Sequence, residues 1–556
     1  MPLQSPQKDF KLIDVSCGSG IFLVKAYKRI VQWWRYEQWQ KTGKLEKPSL
    51  PVLKDLLLKS IHGVDIEQDA IRLSIFSLAL AILDEVNLDS PTWGELKFPD
   101  LNNNIITKNF FKYVTENPPN DFSLVIGNPP FNLPFVNDKE PARKEYFKKL
   151  EKQFGYKTEI DIPDENPALH FLVQSMKLLK AGGILSMIQP SGPLLYQKDL
   201  KFKEDVFSTY NLLQVIDFTK LADKLWGKKN VSTAAVFLQK SRPDSEPVLH
   251  LIANRTFSNA NKLFLEFDYY DFHFMSKNDA IFKPYTWKAH LLGGGRITSL
   301  IERLSTLPTL KEFLKEKERK EGWCVGIGYI IGNKSNKADF ITGKETIPVE
   351  ALTENGIDEK QIHECLIQRF ERPRKTKKKI YEEPHILIRV ITGNQGIPIA
   401  YSEKYLTFPF GIIGIHAPQD DKSELSALYD YLRENNSLLR SYILATSGRA
   451  MIGKATSINK DDIMRIPYSH NKNDIIFSEA EKIIIEEIAD KRKTEEIAVL
   501  NADITKFASV FCKTLNSVYQ IDNGKFQPYK ILNTENYIAI HFEYGKELLT
   551  VSEEQV

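Results

Sequence analysis

The chain has 556 residues, a length that predicts two or three domains. Its apolar fraction of 42% and charged fraction of 26% are ordinary for a globular protein, and they exclude a chain too poor in apolar residues to form a core. The formal net charge is only +3, so any nucleic-acid-binding surface must be local rather than spread over the whole molecule.

Cysteine is sparse, and the spacing contains no C-x-x-C pair. The four cysteines are Cys17, Cys324, Cys365 and Cys512. Such isolated thiols argue against a disulfide framework and a structural zinc site, and they are consistent with a reducing cytoplasm. The first eleven residues lack a signal-peptide apolar run, and no stretch approaches the roughly 20 apolar residues of a membrane span. We therefore expect a cytoplasmic protein with neither a membrane span nor a metal site.

The first motif is a short apolar strand over residues 10–15, followed by a glycine turn and an apolar helix from residue 21 to about residue 34. Glycines in such a turn let the backbone approach a ligand, and the helix N-terminus favours negative charge. A dinucleotide fingerprint would place a third glycine where Leu23 stands, so the pattern gives little support to NAD binding.

Two further strands end in polar residues. The strand over residues 60–66 contains Asp65 near its end, and a strand over 104–107 leads to Asn109. A carboxylate at the end of the second strand is where such folds hold ribose hydroxyls, although an Asp at a strand–helix junction is explained equally well as a helix cap.

A fourth strand over residues 123–127 ends in the sequence Asn128, Pro129, Pro130, Phe131. An amide acceptor, a backbone carbonyl fixed by prolines and an aromatic ring suit the binding of the amino edge of a base. The polar segment up to residue 166 is expected to be an insertion or mobile loop. A helix over 170–179 and strands over 184–189, 213–218 and 233–238 complete a sheet of about seven strands.

The cofactor turn (residues 14–20) and the catalytic turn (residues 128–131) together resemble the two motifs of the gamma group of amino-group DNA methyltransferases. This group includes the adenine methylases of type II, type IIG and type I restriction–modification systems. The resemblance implies an α/β, class I S-adenosylmethionine-dependent methyltransferase fold, with a mostly parallel seven-stranded sheet flanked by helices. It also implies a C-terminal α+β target-recognition domain.

By this resemblance the cofactor is S-adenosyl-L-methionine. Gly18 and Gly20 would lie near its methionine part, and Asp14 near its amino group. Asp65 would bind the ribose, Ile66 would pack on the adenine ring, and Asn109 would replace the usual acid as an acceptor from the adenine amine. Cys17 belongs to the same turn, where we expect a packing residue rather than a nucleophile.

The resemblance assigns the chemistry to the catalytic turn. The Asn128 side-chain oxygen and the Pro129 carbonyl would each accept one hydrogen from the exocyclic amine of an adenine flipped out of duplex DNA. Pro130 would hold this geometry, and Phe131 would stack on the base. The implied activity is site-specific adenine-N6 methylation within a restriction–modification system.

A glycine-rich break at residues 293–295 divides the chain into a methyltransferase domain over 1–290, a DNA target-recognition domain over 291–475 and a helical and hairpin extension over 476–556. The second domain contains a basic segment (residues 369–379). Its seven cations are Arg369, Arg372, Arg374, Lys375, Lys377, Lys378 and Lys379. Such a cluster is typical of a phosphate-contacting loop, and the alternative is a solvated surface run.

The later motifs are weaker. Residues 442–449 and 459–467 loosely resemble the end of a target-recognition domain. The helical pattern over 478–519 predicts either an amphipathic brace on the domain or a docking helix, and residues 537–544 predict a terminal hairpin strand.

Several alternatives stay open. Only about 13 residues precede the cofactor turn, whereas the gamma group carries a helical region there. Double-stranded DNA is the partner that the resemblance and the basic segment imply. A partner subunit that supplies the missing region, or a restriction endonuclease encoded beside the chain, is a further expected partner. The rival functions are a cofactor-deficient DNA-binding remnant, an amino-methyltransferase acting on RNA or protein, and N4-cytosine methylation.

Overall fold

The computed structural model describes residues 9–86, 97–116, 121–133, 140–196, 200–227, 231–254, 265, 267–332, 336–393, 396–452, 458–469, 477–490, 504–519, 523–533, 538–547 and 549–555. They belong to two compact units, Met1–Lys493 and Thr494–Val556. Among the described helices, none combines the length and the apolar character that a membrane span needs. The finer division at residues 290 and 475 stays a prediction.

The first unit contains a large mixed sheet of nine strands, where about seven were predicted. In chain order the strands are β1 (Leu12–Asp14), β2 (Ile61–Asp65), β3 (Ile105–Thr107), β4 (Phe122–Gly127), β5 (Leu179–Pro190), β6 (Asn211–Asp217), β7 (Thr233–Gln239), β8 (Val248–Ile252) and β9 (Phe272–Met275). Their order across the sheet is β3-β2-β1-β4-β5-β7-β6-β8-β9. The five adjacent strands β3, β2, β1, β4 and β5 are parallel to one another, and β7 is antiparallel to both of its neighbours, β5 and β6.

Helices cover this sheet in two groups, as the alternation of side chains along a strand requires. Leu12 packs with the first group, whereas the adjacent Ile13 packs with the second. The first group is α1 (Ile21–Thr42), α2 (Leu50–Ser60) and α3 (Gln68–Leu83). The second includes α4 (Phe110–Glu116), α5 (Glu140–Phe154), α6 (Pro167–Leu178), α7 (Leu200–Thr209), α9 (Lys277–Phe282) and α10 (Pro284–Leu292), and the short α8 (Ala222–Trp226) follows β6.

The segment up to residue 166 was expected to be an insertion or a mobile loop, and the part that forms α5 is a helix packed on the domain rather than a loop. Phe147 and Leu150 lie three residues apart on this helix and are both buried. The many lysines and glutamates around them are on the outer faces of the helix, and they hid its short apolar stripe in the sequence.

The rest of the first unit is an antiparallel sheet with helices on one side. Its strands are β10 (Cys324–Ile327), β15 (His385–Arg389), β16 (Ile399–Ser402) and β17 (Ile412–His416), in the order β10-β17-β15-β16. Short strands form two further pairs, β11 (Glu345–Thr346) with β14 (His363–Glu364) and β12 (Leu352–Thr353) with β13 (Gly356–Ile357). The helices are α11 (Gly295–Ser305), α12 (Leu310–Lys320), α13 (Lys422–Glu434), α14 (Asn436–Thr446), α15 (Lys460–Met464) and α16 (Glu479–Asp490).

Helix α16 acts as a brace on this part of the molecule, one of the two alternatives that the sequence left open. Ile484 and Ile488, one helical turn apart, are buried in the same cluster as Leu439 of α14. The second unit contains α17 (Ile504–Tyr519), β18 (Lys525–Asn533), β19 (Ile538–Gly545) and β20 (Ser552–Gln555). Strand β19 pairs with β18 as an antiparallel hairpin, which confirms the strand predicted over residues 537–544.

Candidate active site

The candidate site lies where parallel strands of the nine-stranded sheet reach their carboxyl ends. Strand β1 lies between β2 and β4, and Asp14 is in register with Gly63 on one side and Ile126 on the other. Because neighbouring parallel strands end at the same edge, the cofactor turn, Asp65 and the catalytic turn come together there.

The cofactor turn needs glycine at position 20. Gly20 has φ 83°, and a Cβ atom placed on it would lie 2.4 Å from Ser74 Oγ of α3. Gly18 has φ 52°, but a Cβ there would meet no atom within 4 Å. The turn is therefore packed against α3 at Gly20 and open at Gly18.

Asp65 ties the cofactor turn to the end of β2. One carboxylate oxygen accepts from Gly18 N at 2.8 Å, and the other accepts from Glu67 N at 3.0 Å. The backbone hydrogen bonds of the capping alternative are thus present, although the N-cap residue of α3 is Glu67 itself. The ribose-binding role of Asp65 stays a prediction.

Asp14 is a buried carboxyl group, with 2% of its surface exposed. Burial raises its pKa from 3.8 to about 7, the negative charge of Asp65 contributes, and the hydrogen bond from Ser16 N opposes the shift. The Asp14 carboxyl is therefore partly protonated near neutral pH, and a cation bound beside it would favour its charged form.

Cys17 is a packing residue. It is 4% exposed, and its sulfur lies 3.1 Å from the position of a Cβ on Gly63. Burial, assisted by the charges of Asp14 and Asp65, raises the pKa of the thiol to about 12. A thiol in this state is unreactive.

A cavity of about 470 Å³ opens at this edge of the sheet. It brings together five residues that the sequence assigned to two different tasks. These are Asp65, Ile66 and Asn109 from the predicted cofactor set, and Asn128 and Pro130 from the predicted catalytic set. Ile66 is 62% exposed, an unusual state for a large apolar side chain unless something covers it.

Most of the remaining cavity wall was missed by reasoning from the sequence. It consists of Val15, Ser16, Glu67, Lys108, Phe110, Phe111, Asn132, Leu133, Tyr146 and Phe171. The pair Phe110 and Phe111 directly follows Asn109, so its position was a usable signal. Tyr146 and Phe171 come from α5 and α6, and no local pattern connects them to the strand ends.

The Asn109 side chain caps α4, and its predicted role toward the adenine amine stays a prediction. Its side-chain oxygen accepts from Phe111 N at 3.0 Å and from Lys112 N at 3.3 Å, which caps α4. Its amide nitrogen donates to Tyr146 Oη at 3.3 Å. Acceptance from an adenine amine would require this oxygen to release one of its backbone partners.

The catalytic turn presents its amide to solvent. Asn128 is exposed, and its side chain forms no hydrogen bond within the part of the chain that the structure describes. Pro129 is buried, Pro130 is exposed, and Phe131 is half-buried against Trp226 in an edge-to-face contact with ring centroids 6.4 Å apart. Trp226 was not foreseen, since it belongs to α8, about 95 residues downstream.

The basic segment is divided by packing. Arg374 has φ 66° and donates to Gly328 O at 3.2 Å, and Lys377 forms an ion pair with Glu318 at 2.5 Å. These two cations are directed to their own domain. The five exposed ones are Arg369, Arg372, Lys375, Lys378 and Lys379.

One acidic group within the described residues has carboxylates close enough to share a cation, namely Glu321, Asp421 and Glu424. Lys317 Nζ already lies 2.6 Å from Glu321 and 2.5 Å from Glu424, and the Trp323 indole donates to Asp421 at 2.8 Å. The three carboxylates thus already have an ammonium group and an indole N–H as partners within the protein.

Part of the chain is similar in sequence to restriction–modification methylases. Residues 59–223 match the Eco57I restriction-modification methylase family, a stretch that contains Asp65, Asn109 and the catalytic turn. This match confirms the predicted resemblance to restriction–modification methylases. The assignment to the gamma group stays a prediction.

Over 258 residues the chain is 24% identical to the type II restriction enzyme and methyltransferase RM.Eco57I of Escherichia coli. The match covers 42% of this chain and 25% of the relative, so the chain spans about a quarter of the length of this relative.

Three solved structures are similar at low identity. A nuclease-deletion mutant of the type ISP enzyme LlaGI with a DNA substrate mimic has 14% identity and a TM-score of 0.47, over 84% of this chain and 43% of that one. The type IIG endonuclease BpuSI has 14% identity and a TM-score of 0.37, over 88% and 59%. The type I EcoKI M protein has 18% identity and a TM-score of 0.32, over 47% and 48%.

Proposed function

We propose that the chain is an S-adenosylmethionine-dependent DNA methyltransferase that modifies the exocyclic amine of adenine in a restriction–modification system. One observation carries the proposal. A single cavity is lined both by Asp65 and Ile66 and by Asn128 and Pro130, so a methyl donor and an acceptor base would meet inside it.

The residues present fit S-adenosylmethionine. The Asp65 carboxylate lines the cavity, and Asp14, which directly precedes the lining residue Val15, carries a partial negative charge near neutral pH; both suit a ligand with an ammonium and a sulfonium group. Exposed Ile66 and the neighbouring aromatic wall suit an adenine ring. When bound, the cofactor supplies an electrophilic methyl group.

The catalytic turn orients the acceptor amine. The lone pair of an adenine amine is delocalised into the ring, so the amine is a weak nucleophile. The Asn128 side-chain oxygen and the Pro129 carbonyl can each accept one N–H hydrogen, which favours a pyramidal nitrogen with a localised lone pair. Among the residues that the structure describes, no side chain or backbone group competes for the Asn128 amide oxygen, so this acceptor is available to the base.

Phe131 supplies a face on which a flipped base can stack. Its ring is held from one side by the edge contact with Trp226, whose indole nitrogen donates to Thr233 Oγ1 at 3.0 Å. The Trp226 indole thus connects the Phe131 ring to Thr233, the first residue of β7. The exposed cations of the basic segment would add salt-dependent contacts to DNA phosphates.

The test is a methyl-transfer assay on the full chain with radiolabelled S-adenosylmethionine. Sheared genomic DNA, total RNA and a protein extract are offered in parallel, and an Asn128→Ala variant is the control. We expect label in DNA only, and none with the variant. Single-molecule sequencing of DNA from expressing cells then identifies the modified base and its site.

Label in RNA or protein would refute the DNA assignment, and N4-methylcytosine would refute the adenine assignment. Absence of transfer together with absence of cofactor binding in calorimetry would favour a DNA-binding remnant. If both appear only after a partner subunit is added, the chain is one part of a larger enzyme.

A further inference from the structure

A turn at residues 447–452, between α14 and α15, is attached to the nine-stranded sheet at its carboxyl edge. Ser232 Oγ donates to the carbonyl of Ile452, and Lys288 Nζ donates to the carbonyl of Ala450. Ile452 is 4% exposed and is buried in the same cluster as Val125 of β4 and Leu185 of β5. A segment far along the chain is therefore built into the edge that contains the candidate site.

The attachment point is close to the catalytic turn. Ser232 directly precedes β7, and its carbonyl accepts from Ser191 N at 3.0 Å, just after the end of β5. Strand β5 separates β7 from β4, which leads into the catalytic turn. Since neighbouring strands are about 4.8 Å apart, the edge end of β7 lies roughly 10 Å from that of β4.

The turn has a conformation that is costly to maintain. Met451 has φ 62°, a value that non-glycine residues rarely adopt. Lys288 is only 2% exposed, and a buried ammonium group is unfavourable unless its hydrogens are bonded. Backbone strain and a buried charge of this kind are concentrated at functional sites, so we expect the turn to have a function besides connecting α14 to α15.

The turn is also held by hydrogen bonds of Ser447, within the turn and to α15, and the Arg449 side chain is exposed to solvent. Ser447 Oγ accepts from Arg449 N at 3.2 Å and from Ala450 N at 3.3 Å, and it donates to Asp462 Oδ2 at 3.1 Å. Ala450 is fully buried, whereas Arg449 is exposed. In the described part of the structure, the Arg449 guanidinium has no hydrogen-bond or ion-pair partner.

We infer that Arg449 binds a backbone phosphate of DNA beside the target nucleotide, an inference that rests on the proposed function. A flipped nucleotide rotates about its backbone, so the phosphates on either side of it stay at the mouth of the site. They must cross the edge of the sheet within a few ångströms of the catalytic turn. The anchored backbone sets where the Arg449 side chain begins, and its guanidinium offers the planar fork of donors that matches a phosphate.

The test compares Arg449→Gln and Arg449→Lys with the unchanged full-length chain, with sheared genomic DNA as the probe. The dissociation constant is measured by fluorescence anisotropy at several salt concentrations. For Arg449→Gln we expect about tenfold weaker binding near 0.1 M salt, and a salt dependence of log K reduced by about one. Arg449→Lys should keep the original salt dependence, because it keeps the charge.

A matched control removes one charge at the opposite edge. Lys41 lies in the last turn of α1, whose 22 residues carry it roughly 30 Å from the cofactor turn. Lys41→Gln should leave the salt dependence unchanged. Cofactor affinity, measured by calorimetry, should be unchanged in all variants, which excludes a general loss of structure.

The failures of the two proposals are distinguishable. If the unchanged chain methylates DNA and Arg449→Gln keeps its salt dependence, the phosphate contact is refuted and the proposed function survives. If the unchanged chain neither binds nor methylates DNA, both are refuted.

Discussion

The carboxyl edge of the nine-stranded sheet and the basic segment over residues 369–379 bring polar groups together in two different ways. At the edge, Asp14, Asp65 and Asn128 come from three different strands, and each follows a buried apolar run. In the basic segment the cations are clustered within eleven residues, and two of them are bonded to groups of their own domain.

This difference predicts how each region responds to substitution. No other residue can take the position of an edge residue, so its substitution should remove nearly all of the activity that depends on it. The cations of the basic segment share one task, so each should contribute a small increment that adds to the others.

Asn128→Ala should have the largest effect, because it removes one of the two acceptors that the proposed mechanism assigns to the amine. We expect methyl transfer to fall by about 10³-fold, while the dissociation constant for S-adenosylmethionine changes less than about twofold. The matched control is Asn132→Ala, which removes an amide from the wall of the same cavity. Activity of Asn128→Ala within tenfold of the unchanged chain would contradict the proposed mechanism.

Gly20→Ala should destabilise the first unit by about 3 kcal/mol, because it adds a clash with Ser74 to the cost of a positive φ. Gly43→Ala is the control, since Gly43 has φ 69° but no atom within 4 Å of its Cβ position. It should cost only about 1 kcal/mol. Chemical unfolding compares the two, and equal costs would show that close packing on α3 does not matter.

Asp14→Asn should change stability in a pH-dependent way. The native pKa of about 7 lies above the ordinary 3.8, so this group favours the native state below pH 4 and loses that contribution as the pH rises to about 7. The asparagine variant should therefore be more stable than the unchanged chain at pH 8, and about equal to it near pH 4.

This shift corresponds to at most about 4 kcal/mol. We expect Asp14→Asn to gain about half of this free energy of unfolding at pH 8, since a neutral amide accepts more weakly from Ser16 N than a carboxylate does. Thermal unfolding at the two pH values is the measurement. A stability difference independent of pH would mean that Asp14 is not the titrating group. Cofactor affinity should fall in the same variant, because the negative charge is lost.

The smallest effects are expected in the basic segment. Lys378→Gln and Lys379→Gln should each reduce the salt dependence of DNA binding by about one, with additive effects. Lys377→Gln should change it much less, because that ammonium is paired with Glu318. Binding to sheared genomic DNA at several salt concentrations is the measurement, and an equal effect at Lys377 would refute the division of the segment by packing.

Much of the sheet edge was predictable because its signals are local. Apolar runs that stop at Asp14, Asp65 and Asn128 specify strands whose polar ends are adjacent in any parallel sheet. The strand pair β8 and β9 was missed, since the predicted sheet ended with the strand over residues 233–238. Helix α5 was missed because charged residues conceal its two buried apolar positions.

The sequence by itself determined the order of the strands along the chain, the two turns and the type of chemistry at each, since these depend on neighbouring residues. Only the tertiary structure decided which side chains share the cavity, that the Asn109 oxygen is already bonded, that Trp226 supports Phe131, and that the turn of Arg449 is fixed to the same edge. Those facts depend on contacts between residues tens to hundreds of positions apart, which no local pattern encodes.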